Sequence, residues 1–260
     1  MDDILIGGRR LEAAWWGPPP DRAPTLVLLH EGLGCVALWR DFPDQLQAGT
    51  GCGVLAYSRF GYGASDPVTL PRPMTYMHEE ARDVLPAVLN QLGIERAFLL
   101  GHSDGGSIAA IHAGSARDPR LLGIITIAAH FFVEELNLTS IAEIKTTYET
   151  TSLRSRMTRY HRDVDNAFYG WNDAWLDPRF RAFDITACLR TIRVPVLALQ
   201  GADDPYGSDE QLRVLGRNTR VPTETRVIPG ARHSPHLEAP EATLSTIAAF
   251  VQERVREAAL

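Results

Sequence analysis

The stretch Ala97 to Gly114, A-F-L-L-G-H-S-D-G-G-S-I-A-A-I-H-A-G, restricts the fold of this chain more than any other. Ala97 to Leu100 is an apolar run of strand length closed by glycine, and Ile108 to His112 restarts an apolar pattern suited to a helix. Between them Gly101, Ser103 and Gly105 satisfy G-x-S-x-G, the spacing of a strand that turns sharply into a helix. Such a turn forces its serine into a strained backbone conformation. Its neighbours must be tiny for strand and helix to approach, and Gly101, Gly105 and Gly106 meet that demand. Two chemical expectations follow: the Ser103 hydroxyl stands exposed as a nucleophile, and the Asp104 backbone N–H points from a helix N-terminus toward a developing oxyanion.

The rest of the chain keeps the same alternation. Ile4 to Ile6 and Leu11 to Trp16 flank Gly7-Gly8 as an N-terminal hairpin would, and Gly17-Pro18-Pro19-Pro20 breaks regular structure. Thr25 to Leu29 and Gly53 to Tyr57 read as strands covered on both faces. A helical pattern runs from about Val36 to Gln47, and another from Thr75 to Leu92 with a kink at Pro86 and Gly93 as its stop. Further strands fall at Gly123 to Ala128, Pro195 to Gln200 and Glu224 to Ile228, with helices at Gly207 to Leu215 and Pro240 to Val255. This order predicts an α/β fold with a mostly parallel twisted sheet, helices on both faces, and the active site at the carboxyl ends of the strands. From His130 to Ala187 the rhythm changes to polar helical stretches rich in aromatics. Residues 1–129 and 188–260 are therefore expected to form the core, and 130–187 a helical cap over the sheet edge.

A serine hydroxyl needs a base within hydrogen-bond reach, and the base needs an orienting acid. Gly201-Ala202-Asp203-Asp204-Pro205 supplies a carboxylate at a strand end, and Pro229-Gly230-Ala231-Arg232-His233-Ser234-Pro235-His236 a histidine after the last strand. With the serine elbow G-H-S-D-G-G, these motifs make the whole chain resemble the α/β-hydrolase family, whose triad follows the order serine, acid, histidine. It most resembles the capped esterase-like and carbon–carbon-bond hydrolase members. The chain departs from its relatives at Glu31 and Arg232, where they usually carry glycine.

The resemblance implies Ser103 as nucleophile, His233 as general base and Asp204 as acid, with Asp203 the runner-up and Glu134 or Glu135 as alternative acid placements. It also implies a second oxyanion donor in the His30 loop: the N–H of Gly32, with Glu31 and Leu33 as alternates. His30 and His102 are read as structural. Leu33, His130, Tyr160, Phe168, Trp171, Trp175 and His236 are the candidates for the substrate pocket. Arg154, Arg156, Arg159 and Arg162 are offset by Glu149, Asp163 and Asp165, which reads as a solvated face.

No ligand spacing suggests a metal, and no cofactor is expected. The net charge of −6 is spread along the chain, so a small molecule and not nucleic acid is the expected partner. No apolar run is long enough to span a bilayer. The acidic start M-D-D-I-L-I-G-G lacks the features of a secretory leader, and Cys35, Cys52 and Cys188 read as reduced thiols; both point to the cytoplasm. A homodimer is left open. The activity expected is hydrolysis of a small ester or related acyl compound through an acyl-enzyme. The alternatives are carbon–carbon cleavage of meta-cleavage-product type, or a slow-turnover ligand receptor on the same fold.

Overall fold

Side-chain alternation along the strands sets the layering. The computed structural model describes residues 4–258; the acidic start, Met1 to Asp3, lies outside them. Its strands are β1 (Ile4–Ile6), β2 (Arg9–Leu11), β3 (Ala13–Trp16), β4 (Thr25–Leu29), β5 (Gly53–Tyr57), β6 (Ala97–His102), β7 (Leu121–Ile127), β8 (Val196–Gly201) and β9 (Thr223–Ile228). Strands β1 and β2 pair as a hairpin, while β3 turns away to the main sheet, so the expected second arm is split in two. That sheet has the order β3-β5-β4-β6-β7-β8-β9, with β3 antiparallel to β5 and all other pairs parallel. The order reverses between β4 and β6, which opens a crevice at their carboxyl ends.

Leu26, Leu28, Phe98, Leu100, Leu197 and Leu199 face one layer; Val27, Leu29, Leu99 and Ala198 face the other. Helices α1 (Phe42–Thr50), α2 (Tyr76–Glu79), α3 (Leu85–Gln91) and α4 (Asp104–Ser115) belong to the first half of the core. α5 (Glu135–Thr150), α6 (Leu153–Met157), α7 (Val164–Leu176) and α8 (Thr186–Leu189) lie between β7 and β8. α9 (Glu210–Asn218), α10 (Pro235–Glu238) and α11 (Pro240–Glu257) complete the chain. α1 and α11 cover the first layer through Phe42, Leu46, Ile247 and Phe250, and α3, α4, α8 and α9 cover the second. Each such fully buried leucine or phenylalanine is worth about 1.5–3 kcal/mol.

Three expectations change. The helix expected from Val36 breaks at Arg40, whose φ is 54°, leaving a 3₁₀ turn (Val36–Trp39) ahead of α1. The helix expected from Thr75 widens into a π turn at Glu80–Val84 just before Pro86, and the wider turn makes room for a residue that has no N–H to give. Glu80 is buried there and accepts a hydrogen bond from the Tyr57 hydroxyl at 2.7 Å. The expected boundary at 187/188 cuts through α8, which packs on α4; the pairing of Phe132 with Asp184 closes the base of the all-helical segment a little earlier.

That segment is tied to the sheet edge by polar contacts. His161 accepts the Gly63 N–H at 3.1 Å and bonds the Leu33 carbonyl at 3.1 Å. The Asn166 amide bonds both N–H and C=O of Val68, at 3.0 and 2.8 Å. Trp175 donates to Asp104 at 3.2 Å, while Tyr76 holds the other oxygen of the same carboxylate at 2.6 Å.

Candidate active site

The turn from β6 into α4 puts Ser103 at φ 52°, ψ −118°, a conformation rare outside glycine. A Cβ on Gly105 would lie 1.9 Å from the Leu29 carbonyl oxygen, so the helix rests directly on the backbone of β4. Ser103 faces a cavity of about 100 Å³. Glu31, Gly32 and Leu33 from the loop after β4 form one wall, and Trp171 and Trp175 of α7 form the roof. His130, Ile141, Tyr206 and His233 close the remaining side.

His233 turns Nδ1 to the Asp204 carboxylate, 2.9 Å from each oxygen. Asp204 has no side-chain exposure and also accepts the Gln200 amide at 2.6 Å and the Tyr206 N–H at 2.8 Å. Burial opposes its ionisation, but the His233 bond and charge outweigh it and hold the carboxyl below its usual range. Asp203 is exposed, its N–H spent on the Ala231 carbonyl. The Asp204 contact leaves Nε2 as the free ring nitrogen of His233. No hydrogen bond joins Ser103 to His233 among the described residues; the two share the cavity wall, and such bonds commonly tighten only around a reacting group.

Gly32 and Asp104 both reach this wall, and among the described residues their N–H groups donate to no protein acceptor. A Cβ on Gly32 would fall 2.0 Å from the Trp171 indole nitrogen, so the tryptophan lies directly on the loop. His30 is buried beneath: its Nε2 accepts the Arg59 N–H at 2.9 Å and its Nδ1 donates to the Glu31 carbonyl at 2.7 Å. Burial, then the Arg59 charge, keeps it neutral.

Leu33, His130, Trp171 and Trp175 lie on the cavity wall; Tyr160, Phe168 and His236 do not. Tyr160 follows α6 with its ring exposed to solvent. Phe168 shares the inward stripe of α7 but sits about 10 Å along the axis from Trp175. There it stacks on Tyr148 at 3.6 Å, within a small core of the helical segment itself. His236 opens α10 and packs under the elbow against Trp39 and Phe42 at 5.3 and 5.1 Å.

Glu134 caps α5 and holds Ser208 and Gln211, and Glu135 pairs with Arg181 at the surface, so neither approaches His233. Arg154 and Arg162 pair with Asp165 and Asp66 on the outside. Two wall residues were not anticipated. Tyr206 follows Asp204 by two positions in the acid turn, a proximity the sequence did offer. Ile141 looks like any apolar helical residue.

A model of the Alpha/beta hydrolase family matches residues 26–246. The chain belongs to that family. Within it, epoxide hydrolase B of Mycobacterium tuberculosis is 32% identical over 126 residues, which cover 48% of this chain and 34% of that protein. The chain thus spans about a third of the length of this curated relative. The crystal structure of a proline iminopeptidase from Mycobacterium smegmatis superposes with a TM-score of 0.76 at 19% identity, covering 99% of each chain. The enol-lactonase from Burkholderia xenovorans LB400 does so with 0.77 at 19%, covering 96% of this chain and 99% of that one. At such identity these two likenesses speak for the α/β-hydrolase fold. Among the described residues no helix is long and apolar enough to cross a membrane.

Proposed function

We propose that this α/β hydrolase cleaves a small ester or related acyl compound through an acyl-enzyme on Ser103. The observation that carries the reading is the shared cavity: a strained serine hydroxyl, a histidine anchored to a buried carboxylate, and two uncommitted backbone N–H groups meet on one wall. Ser103 Oγ attacks the acyl carbon and its proton passes to His233 Nε2. The N–H groups of Gly32 and Asp104 receive the oxyanion. The intermediate collapses as His233 returns the proton to the leaving alkoxide. Water, deprotonated by the same nitrogen, then releases the acid and restores Ser103. Asp204 stays ionised throughout, fixing the tautomer and offsetting the imidazolium charge.

The lining supports a small, uncharged acyl group. Leu33, Ile141, Trp171 and Trp175 are apolar, and among the described residues no arginine or lysine reaches the wall. A diketone acid of the carbon–carbon cleavage type would meet no cation there, which disfavours that alternative. Epoxide opening is disfavoured as well, since the resemblance ties it to a carboxylate at the position Ser103 holds.

The test compares wild type with Ser103→Ala on p-nitrophenyl esters of increasing chain length and with a fluorophosphonate probe. Wild type gives a burst and covalent label, greatest with short acyl groups. Equal labelling of the two proteins refutes the nucleophile.

A further inference from the structure

His102 joins three of the loops that build the site. It closes β6 directly before Ser103, its Nε2 lies 2.7 Å from the His233 carbonyl oxygen, and its Nδ1 lies 3.4 Å from Glu31 Oε2. Neither oxygen can donate a proton: one is a peptide carbonyl, the other a carboxylate. The 2.7 Å contact puts a proton on Nε2, since a lone pair there would face the carbonyl oxygen. Nδ1 is buried without a hydrogen bond, and the Glu31 carboxylate 3.4 Å away favours a second proton there by its charge. The ring is 2% exposed, so solvent screens that charge little.

The other groups around the ring are compatible with that charge. His236 lies edge-on at 4.8 Å, held neutral by burial and then by His102 itself. His233 lies at 5.1 Å with the Asp204 carboxylate behind it, and Trp39 closes the remaining side at 6.4 Å.

We propose that His102 is a permanently protonated positioning residue, held in that state by Glu31, whose Nε2–H pins the His233 loop to the nucleophile elbow. The proposal rests on the reading of His233 as the base. Burial works against the charge, but Glu31, the His233 carbonyl and Asp204 outweigh it and lift His102 above the ordinary imidazole range. In turn Glu31, despite its own desolvation, is held strongly ionised by His102.

The test reads protons and turnover separately. In full-length protein with ¹⁵N-labelled histidine at about pH 8, above the ordinary imidazole value near 6.5, both His102 ring nitrogens should show as protonated. In Glu31→Gln the amide can donate to a bare Nδ1, so His102 should become the neutral Nε2–H form and still bond the His233 carbonyl. On p-nitrophenyl acetate, His102→Ala should lose about 10²-fold in kcat, the cost of misplacing a catalytic group by about 1 Å, with KM little changed. Glu31→Gln, which keeps the Nε2–H bond, should lose less than about tenfold while the ring signal changes to that of the neutral form. A neutral His102 in the wild type overturns the proposal. So does a His102→Ala enzyme with wild-type kcat. If wild type turns over no ester, the ring-nitrogen readout still decides the charge, so failure of the hydrolase reading and failure of this one are distinguishable.

Discussion

Asp204→Asn tests the acid with little change in volume. Three donors converge on the carboxylate, from His233, Gln200 and Tyr206. An asparagine has one oxygen for them. If that oxygen stays with Tyr206 and His233, its NH₂ meets the Gln200 amide, which is already committed to the Gly207 carbonyl at 3.2 Å. If instead the oxygen turns to Gln200, the NH₂ faces His233 Nδ1. That nitrogen must then carry the lone pair, the proton moves to Nε2, and the ring can no longer accept one from Ser103. In chymotrypsin-type triads this tautomer error costs roughly 10⁴ in kcat with the geometry intact, or about 5 kcal/mol of barrier. A buried donor left unmatched adds about 1–3 kcal/mol of instability. Burst and steady-state turnover of p-nitrophenyl acetate, with a urea melt alongside, read both numbers. Asp203→Asn is the control, expected to stay within about twofold because exposed substitutions are close to neutral. Asp204→Asn turnover within tenfold of wild type refutes the assignment of the acid.

Gly105→Ala drives a methyl into the Leu29 carbonyl and should lower Tm by more than about 6 °C, equivalent to roughly 3 kcal/mol for a chain of this size; calorimetry showing an unchanged Tm contradicts the packing described. Phe168→Ala should cost about 3–5 kcal/mol of stability with little effect on KM for short esters. Trp171→Ala should instead extend the range of acyl chains accepted, and identical chain-length profiles would place the cavity elsewhere. His30, His130 and His236 are buried and held neutral, His130 pushed down to about 3, in each case first by desolvation. The unfolded chain takes up these protons near pH 6.5, before the folded one does, so the stabilisation is complete above that value and declines as pH falls, at up to about 1.4 kcal/mol per pH unit for each ring. Urea midpoints at about pH 7.5 and 5.5 should differ accordingly, less the opposite contribution of the raised His102, and less so in His130→Asn; equal midpoints contradict it.

The strands were legible because both of their faces are buried. Thr25–Leu29 and Gly53–Tyr57 are unbroken apolar runs with turn residues at both ends, and their bounds coincide with β4 and β5. Features set by distant contacts were not. Nothing about Arg40 as a residue type marks the break before α1, and the π turn at Glu80–Val84 places a buried carboxylate opposite Tyr57, far away in sequence. The loops of the site were readable because serine, aspartate and histidine each sit after a strand. The aromatic lining was only half readable: helical period puts Phe168, Trp171 and Trp175 on one stripe, but it cannot say where along the axis the cavity ends and Tyr148 begins.

The stitching of the inserted helices to the sheet edge limits how this protein can be re-engineered. His161, Asn166 and Trp175 complete the hydrogen bonding of Gly63, Val68 and Asp104. A recombinant that exchanges the helices between β7 and β8 must therefore bring equivalents for all three, or leave the buried Gly63 N–H and one oxygen of Asp104 short of a partner at about 1–3 kcal/mol each. Exchange of this helical segment between family members then becomes a matter of matching the seam first.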